Sequence, residues 1–338
     1  MSLADVIGHA PVVALLRQAV ARGRVPQSLL LAGPDGVGKR TVAIALAQAV
    51  NCPVRRASNG AANGTSNDDA CGACPTCQRI ARGSHSDVVM LDRGDDATIK
   101  LKILREKVLD VVGYRPFEGA KRVFIIAADE LMDTGSDALL KTLEEPPTSA
   151  MLILVSSYPD TLPQTVQSRC RRLRFGPLAE RDVARVLVER AGVDRKAAGA
   201  LAARSGGSVA RALAEQQGEI GNDRESALAV LGAASRTVAD QLKASAALAK
   251  HGSDRRDREA LAARLDVLRS LLRDLGALAA RRPEAVANGD LADDLRALSP
   301  RFDLARVTSG YAALARAESA LDRNAGPKIV ADWVALHL

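Results

Sequence analysis

"SLLLAGPDGVGKRTVAIALAQAVN", Ser28–Asn51, is the stretch from which the fold can be worked out. Its first six residues, Ser28–Gly33, are a short apolar run without alternation, the pattern of a strand buried on both faces. "KRTVAIALAQAVN" then places apolar residues at helical spacing. Between them lies "GPDGVGK", Gly33–Lys39, and a strand, a glycine loop and a helix in that order form the setting of a phosphate-binding loop. Successive backbone N–H groups and the helix N-terminus favour an anionic phosphate, and Lys39 is placed to reach its terminal oxygens. One residue departs from the pattern. The hydroxyl that normally follows the lysine ligates Mg²⁺ between the β- and γ-phosphates, and Arg40 occupies that slot. Thr41 lies one residue on, roughly 100° further round the helix. Gly33, Gly36, Gly38, Lys39 and Thr41 are therefore the candidate nucleotide-binding residues for ATP or ADP. The loop itself leaves open whether it supports hydrolysis, binds idly or only keeps its shape.

Further strands are expected at Asp87–Leu91, Arg122–Ala127 and Met151–Ser157, with helices between them such as "LKILREKVLDVVG" and "GSDALLKTLEE". Strands alternating with helices imply a parallel sheet covered on both faces. After "RRLRFGPL" the strand signal stops and the remaining pattern is helical, with polar breaks at "GEIGND" and "KHGSDRRDRE". The expected organisation is an α/β P-loop domain over 1–176, a small helical lid over 177–218 and a helical domain over 219–338.

Of 338 residues only one is Trp, three are Tyr and four are Phe, while the formal charge is +7. The charge is a modest bias towards anionic partners. Stacking platforms for single-stranded nucleic acid are nearly absent, so contacts with DNA would run through phosphates, by residues such as Lys121 and Arg122. A free-standing zinc module for nucleic acid is disfavoured on the same ground. No Ser-His-Asp order or HExxH is present, which leaves hydrolase and metalloprotease chemistry without support. "MSLADVIGHA" lacks a basic and then apolar leader, and no run of ~18 apolar residues occurs, so a cytoplasmic location without a membrane is expected.

Four of the five cysteines are grouped: Cys52, then Cys71, Cys74 and Cys77 in "CGACPTC". Two consecutive C-x-x-C steps bring three thiolates to one knuckle, and Cys52 supplies a fourth for a tetrahedron suited to Zn²⁺. Four protein ligands leave no open position, so the expected zinc is structural. His85 is a secondary candidate, and Cys170 reads as a packed thiol with no His near it in sequence. The stretch 53–70, rich in Asn, Gly and Ser, reads as a mobile loop. A hydrophobic strand closing on "IIAADE", Ile125–Glu130, has two readings. Either Asp129–Glu130 is the acidic pair of an ATPase, or Ala127 and Ala128 stand where the acids belong.

Together "GPDGVGKRT", the cysteine insert, "ALLKTLEEPP" (Ala138–Pro147), "LPQTVQSRC" (Leu162–Cys170) and the "VIGH" box (Val6–His9) resemble bacterial DNA polymerase III clamp-loader subunits, which are AAA+ proteins. The resemblance covers nearly all of the first 175 residues. It implies a chain that joins gamma/tau and delta subunits in a ring placing the β sliding clamp on primed DNA, with 219–338 as the collar. It also gives Arg169, in "SRC", the role of an arginine finger acting in trans on a neighbour's ATP. Within the family, Arg40, the missing strand-end acids and the "GGSVARAL" and C-terminal stretches favour the delta-prime type, a stator whose own ATPase is lost. The alternative is an active gamma/tau-type ATPase using Lys39 and Asp129–Glu130.

Overall fold

The computed structural model describes residues 2–58, 68–94, 96, 98–216, 221–249, 255–323 and 325–338. It divides into two compact units, one of residues up to Val186 with Gly207–Ala210, the other of Leu187–Gly206 with Arg211–Leu338.

The first unit is built on a five-stranded sheet of β1 (Ser28–Ala32), β2 (Val88–Leu91), β3 (Arg122–Ala127), β4 (Ala150–Ser156) and β5 (Arg171–Arg174), ordered β2-β3-β4-β1-β5. Every pairing is parallel, with Ser28 opposite Leu152, Leu29 opposite Arg171, Val88 opposite Val123 and Arg122 opposite Ala150. The sequence explains the continuous hydrophobic runs. Leu29 and Leu31, Val123 and Ile125, and Met151 and Ile153 enter one core. Their neighbours Leu30, Phe124, Ile126, Leu152 and Leu154 enter the core on the opposite face. With side chains alternating across a strand, a sheet covered on both sides needs apolar residues at every position.

Helices α1 (Ala10–Ala21), α2 (Lys39–Asn51), α3 (Pro53–Ser58), α4 (Pro75–Ala81), α5 (Leu101–Leu104), α6 (Asp133–Glu144), α7 (Gln164–Gln167) and α8 (Glu180–Ala191) follow in chain order. Several boundaries differ from the sequence reading. Asp87 precedes β2 rather than opening it, and Ser157 lies just past β4. The expected long helix from Leu101 stays α-helical for one turn and continues as a π-helical turn over Arg105–Leu109. The expected loop 53–70 begins as α3, while its residues 59–67 lie outside the described residues. The fifth strand, β5, escaped the sequence reading because only Leu173 of "RRLR" is buried.

The second unit is helical among its described residues, with α9 (Arg195–Arg204), α10 (Val209–Gln216), α11 (Gly221–Ala233), α12 (Val238–Ser245), α13 (Arg255–Ala279), α14 (Ala292–Leu298), α15 (Leu304–Asp322) and α16 (Pro327–His337). Val209 and Ala210, which open α10, belong to the first unit. The 25-residue α13 is the unit's spine. Leu261, Leu265, Leu268, Leu272 and Leu275 recur at steps of four and three, and all are fully buried. That spacing lays one apolar stripe along the helix. Buried Asp274 accepts the Asn288 backbone N–H at 2.8 Å and its side-chain Nδ2 at 2.7 Å, which fixes the chain after α13. The expected lid boundary at 218/219 and part of the second polar break lie outside the described residues. No described helix is long and apolar enough to cross a membrane.

Candidate functional site

The glycine loop leaves the C-terminal end of β1, an inner strand of the sheet, and its backbone takes turns that side chains resist. Gly36 has φ 71° and Gly38, the N-cap of α2, has φ 100°. A Cβ on Gly33 would lie 2.0 Å from the Phe175 carbonyl oxygen, and one on Gly36 would lie 2.2 Å from Ser208 Oγ. Val209 donates its N–H to the Gly36 carbonyl at 2.9 Å, so the segment opening α10 rests directly on the loop. His9 of the "VIGH" box supports the loop from the other side. Its Nε2 lies 2.8 Å from the Val37 carbonyl oxygen, and its ring packs edge-on against Phe175.

Lys39 is buried and does not extend outward. Its Nζ donates to the carbonyls of Gly33 at 2.7 Å and Pro34 at 2.6 Å and to Ser157 Oγ at 3.0 Å. Burial lowers its pKa, with Asp35 and Asp129 acting in the opposite direction. Arg40, in the slot of the missing hydroxyl, pairs with Asp92 at 2.7 Å, just past β2. Thr41 sits one residue further along α2 and is partly exposed.

The two readings of "IIAADE" can now be placed on the backbone. β3 ends at Ala127, and Asp129 and Glu130 belong to the 3-10 turn that follows it. Asp129 accepts from Ser156 Oγ and from the Ser157 N–H, closing the end of β4. Glu130 accepts the Arg93 N–H at 2.7 Å. Ala127 is the last residue of the strand and Ala128 is buried behind it.

The four clustered cysteines converge. All four Sγ atoms lie within 4.8 Å of one another, and those of Cys52 and Cys71 are 3.6 Å apart. A tetrahedral zinc–thiolate site has sulfurs about 3.8 Å apart, so the donor set fits, and the separation is far beyond a disulfide's ~2.05 Å. Cys52 caps the C-terminus of α2 and Cys74 the N-terminus of α4. Backbone N–H groups point at the sulfurs: Cys71 at Cys52, Cys74 at Cys71 and Cys77 at Cys74. Burial acts to raise the Cys71 thiol, but the N–H groups of Cys74 and Ala73 outweigh it and bring its pKa to about 7. Burial pushes Cys77 strongly up. The cluster can hold a metal such as zinc, and those N–H groups would stabilise thiolates as ligands. His85 stands outside it. Its Nδ1 accepts the Asp87 N–H at 3.1 Å, and its Nε2 faces Glu118 at 3.4 Å.

Arg169 follows α7 and is held by Glu144, the last residue of α6. Its Nε donates to Glu144 Oε1 at 2.9 Å, and its Nη2 reaches the same oxygen. Its Nη1 donates to the Thr165 carbonyl at 2.9 Å. Cys170 is partly buried, which lifts its pKa to about 11, the behaviour of a packed thiol.

Several residues that hold these parts in place went unread in the sequence. Asp69 accepts the N–H groups of Leu3 and Ala4, and Asp68 pairs with Arg17, so the chain just before the cysteine knuckle is tied to the N-terminal region. Asp87, nearly inaccessible, accepts N–H groups of Phe117, Glu118 and Gly119. Nothing in their local patterns marks them, because each acts on partners distant in sequence.

A parallel α/β sheet with a phosphate-type loop after β1 defines a P-loop α/β protein, which here carries a four-cysteine cluster at the far end of α2. A family model described as "DNA polymerase III, delta subunit" matches residues 8–179, just over half of the chain, and the chain belongs to that clamp-loader family. It is 33% identical over 184 residues to DNA polymerase III subunit gamma of Buchnera aphidicola subsp. Acyrthosiphon pisum (strain APS), covering 54% of this chain and 47% of that protein. It is 33% identical over 176 residues to subunit tau of Bacillus subtilis (strain 168), covering 51% of this chain and 28% of that protein. The chain thus spans less than half the length of these relatives. Among solved structures, the Thermotoga maritima RuvB Holliday junction branch migration motor aligns over 87% of this chain and 88% of its own. That alignment has 18% identity and a TM-score of 0.44.

Proposed function

We propose that this chain is a delta-prime-type subunit of the DNA polymerase III clamp loader, a stator that does not hydrolyse ATP. The observation carrying this reading is the fate of Lys39. A lysine shared among two carbonyls and Ser157 is already satisfied within the protein, and Arg40 beside it cannot ligate a cation. Asp129 and Glu130 are likewise occupied by Ser156, Ser157 and Arg93.

In this reading the catalytic contribution comes from Arg169, presented in trans to the γ-phosphate of ATP on an adjacent gamma/tau subunit. A guanidinium there offsets charge that develops as the phosphoryl group leaves. Cys52, Cys71, Cys74 and Cys77 hold a structural zinc that cross-links the end of α2 to the knuckle. The lid, 177–218, and collar, 219–338, place the subunit in a ring with gamma/tau and delta. Through that ring it acts on the β sliding clamp and primed DNA in the cytoplasm.

The second reading, an active gamma/tau-type ATPase using Lys39 and Asp129–Glu130, draws on the names of the two relatives and on the literal Asp-Glu pair. Steady-state ATPase of the isolated chain separates the two. Background turnover unaffected by Lys39→Ala supports the stator, whereas robust turnover abolished by that change supports the motor. In a reconstituted loader, Arg169→Ala should sharply lower the ATPase stimulated by clamp and DNA.

A further inference from the structure

Glu144 stands where a carboxylate is electrostatically disfavoured. It is the last residue of α6, and Pro146 and Pro147 follow closely to end the helix. The C-terminal end of a helix carries partial negative charge and destabilises an acid in the last turn. A nearby cation offsets that penalty, and here the cation is Arg169 from a different element. Glu144 Oε1 takes Nε and Nη2, one side edge of the guanidinium, while the Thr165 carbonyl takes Nη1. Nη1 also reaches Ser168 Oγ at 3.5 Å. The planar group is thereby fixed about its long axis, and Nη2 keeps one N–H for a further acceptor.

We infer that Glu144 is a positioning residue, which presets the Arg169 guanidinium so that its Nη2 edge meets an oxyanion brought by another molecule. The inference rests on the proposed role of Arg169 in trans. A long side chain about one-third exposed would otherwise spread over many rotamers and lose entropy each time it engaged a phosphate. Glu144 and Thr165 impose that ordering within the subunit itself. Because Glu144 also draws on the positive charge, the contact favours orientation over raw attraction. Its effect therefore falls on the rate of the chemical step rather than on ATP binding by the neighbour.

The test uses loaders reconstituted with gamma/tau and delta, purified at full stoichiometry so that activity is read per assembled ring. Glu144→Ala should lower kcat of the clamp- and DNA-stimulated ATPase about 10-fold with KM for ATP little changed, as expected when a catalytic group is misplaced rather than removed. Glu144→Gln, which keeps an oxygen acceptor for Nε, should restore most of the rate. The double variant Glu144→Ala/Arg169→Ala should be no slower than Arg169→Ala alone. Wild-type kcat for Glu144→Ala alongside a slow Arg169→Ala overturns the inference and leaves the arginine reading intact, as does additivity in the double variant. Full activity of Arg169→Ala overturns both.

Discussion

The Nζ of Lys39 donates to Ser157 Oγ at 3.0 Å, and the N–H of that same Ser157 donates to Asp129. Three residues from the glycine loop, the end of β4 and the turn after β3 are therefore linked in one chain of contacts. Two of them are groups that an ATPase would direct at phosphate and metal. Here they hold the C-terminal ends of the strands together.

Lys39 is accordingly expected to contribute to folding rather than to turnover. Lys39→Met leaves the carbonyls of Gly33 and Pro34 without their donor and should cost about 1–2 kcal/mol. Loss of the buried charge's desolvation penalty works against that cost and keeps it modest. Thermal unfolding of the isolated chain should show a lower Tm. ATPase per assembled loader should stay at the wild-type level, and a large fall in it would count against the stator reading.

Arg40→Ser restores the hydroxyl that the loop pattern lacks, yet turnover should not appear. On the stator reading the new side chain has no strand-end acid to share a metal with, because β3 ends at Ala127 and Asp129 is turned to Ser156 and Ser157. Removing the exposed pair with Asp92 should change stability by less than ~1 kcal/mol. The ATPase of the isolated variant is the measurement, and turnover well above background would show that one substitution had silenced an otherwise complete site.

The sheet and the loop were legible because they rest on local rules. Unbroken apolar runs such as "SLLLA" need two cores, and glycines at Gly36 and Gly38 mark turns with positive φ. The cysteine cluster was legible too, since spacing alone restricts where Cys71, Cys74 and Cys77 can lie. Where the sequence fell short, the determinants were non-local. Strand β5 buries one residue in four and pairs along one side only, with β1, so neither period nor composition reveals it. The turning-in of Lys39 depends on Ser157, more than a hundred residues away, and Arg169 is oriented by Glu144 from another helix.

Zinc should be present at about one equivalent per chain, the ratio for a four-thiolate structural site. Cys74→Ser should lower that content and the Tm together. The reason is that Cys74 caps α4 and Cys52 ends α2, so losing the ion frees two helix termini at once. Chelation of the wild-type protein should reproduce the Tm shift, and added zinc should reverse it. Elemental analysis and thermal melts decide this. A metal-free chain of undiminished stability would remove the zinc assignment.

Asp87 sets a pH dependence of known sign. Burial acts to raise its carboxyl, but the N–H groups of Glu118, Phe117 and Gly119, with His85 nearby, outweigh it and hold its pKa below the ordinary 3.8. As pH falls, the unfolded chain therefore takes up this proton before the folded one does. The stabilisation is complete above the unfolded value and is lost as pH drops through the folded one. Asp87→Asn turns an acceptor of three N–H groups into a group with a competing donor. It should destabilise by about 2–3 kcal/mol at neutral pH, the range for a hydrogen-bonded charge. Denaturant melts of both proteins should show a constant gap from about pH 7 to 5, which then narrows below the ordinary carboxyl value. A gap that instead widened in acid would mean that Asp87 is held protonated in the folded state, the opposite of what its three N–H donors imply.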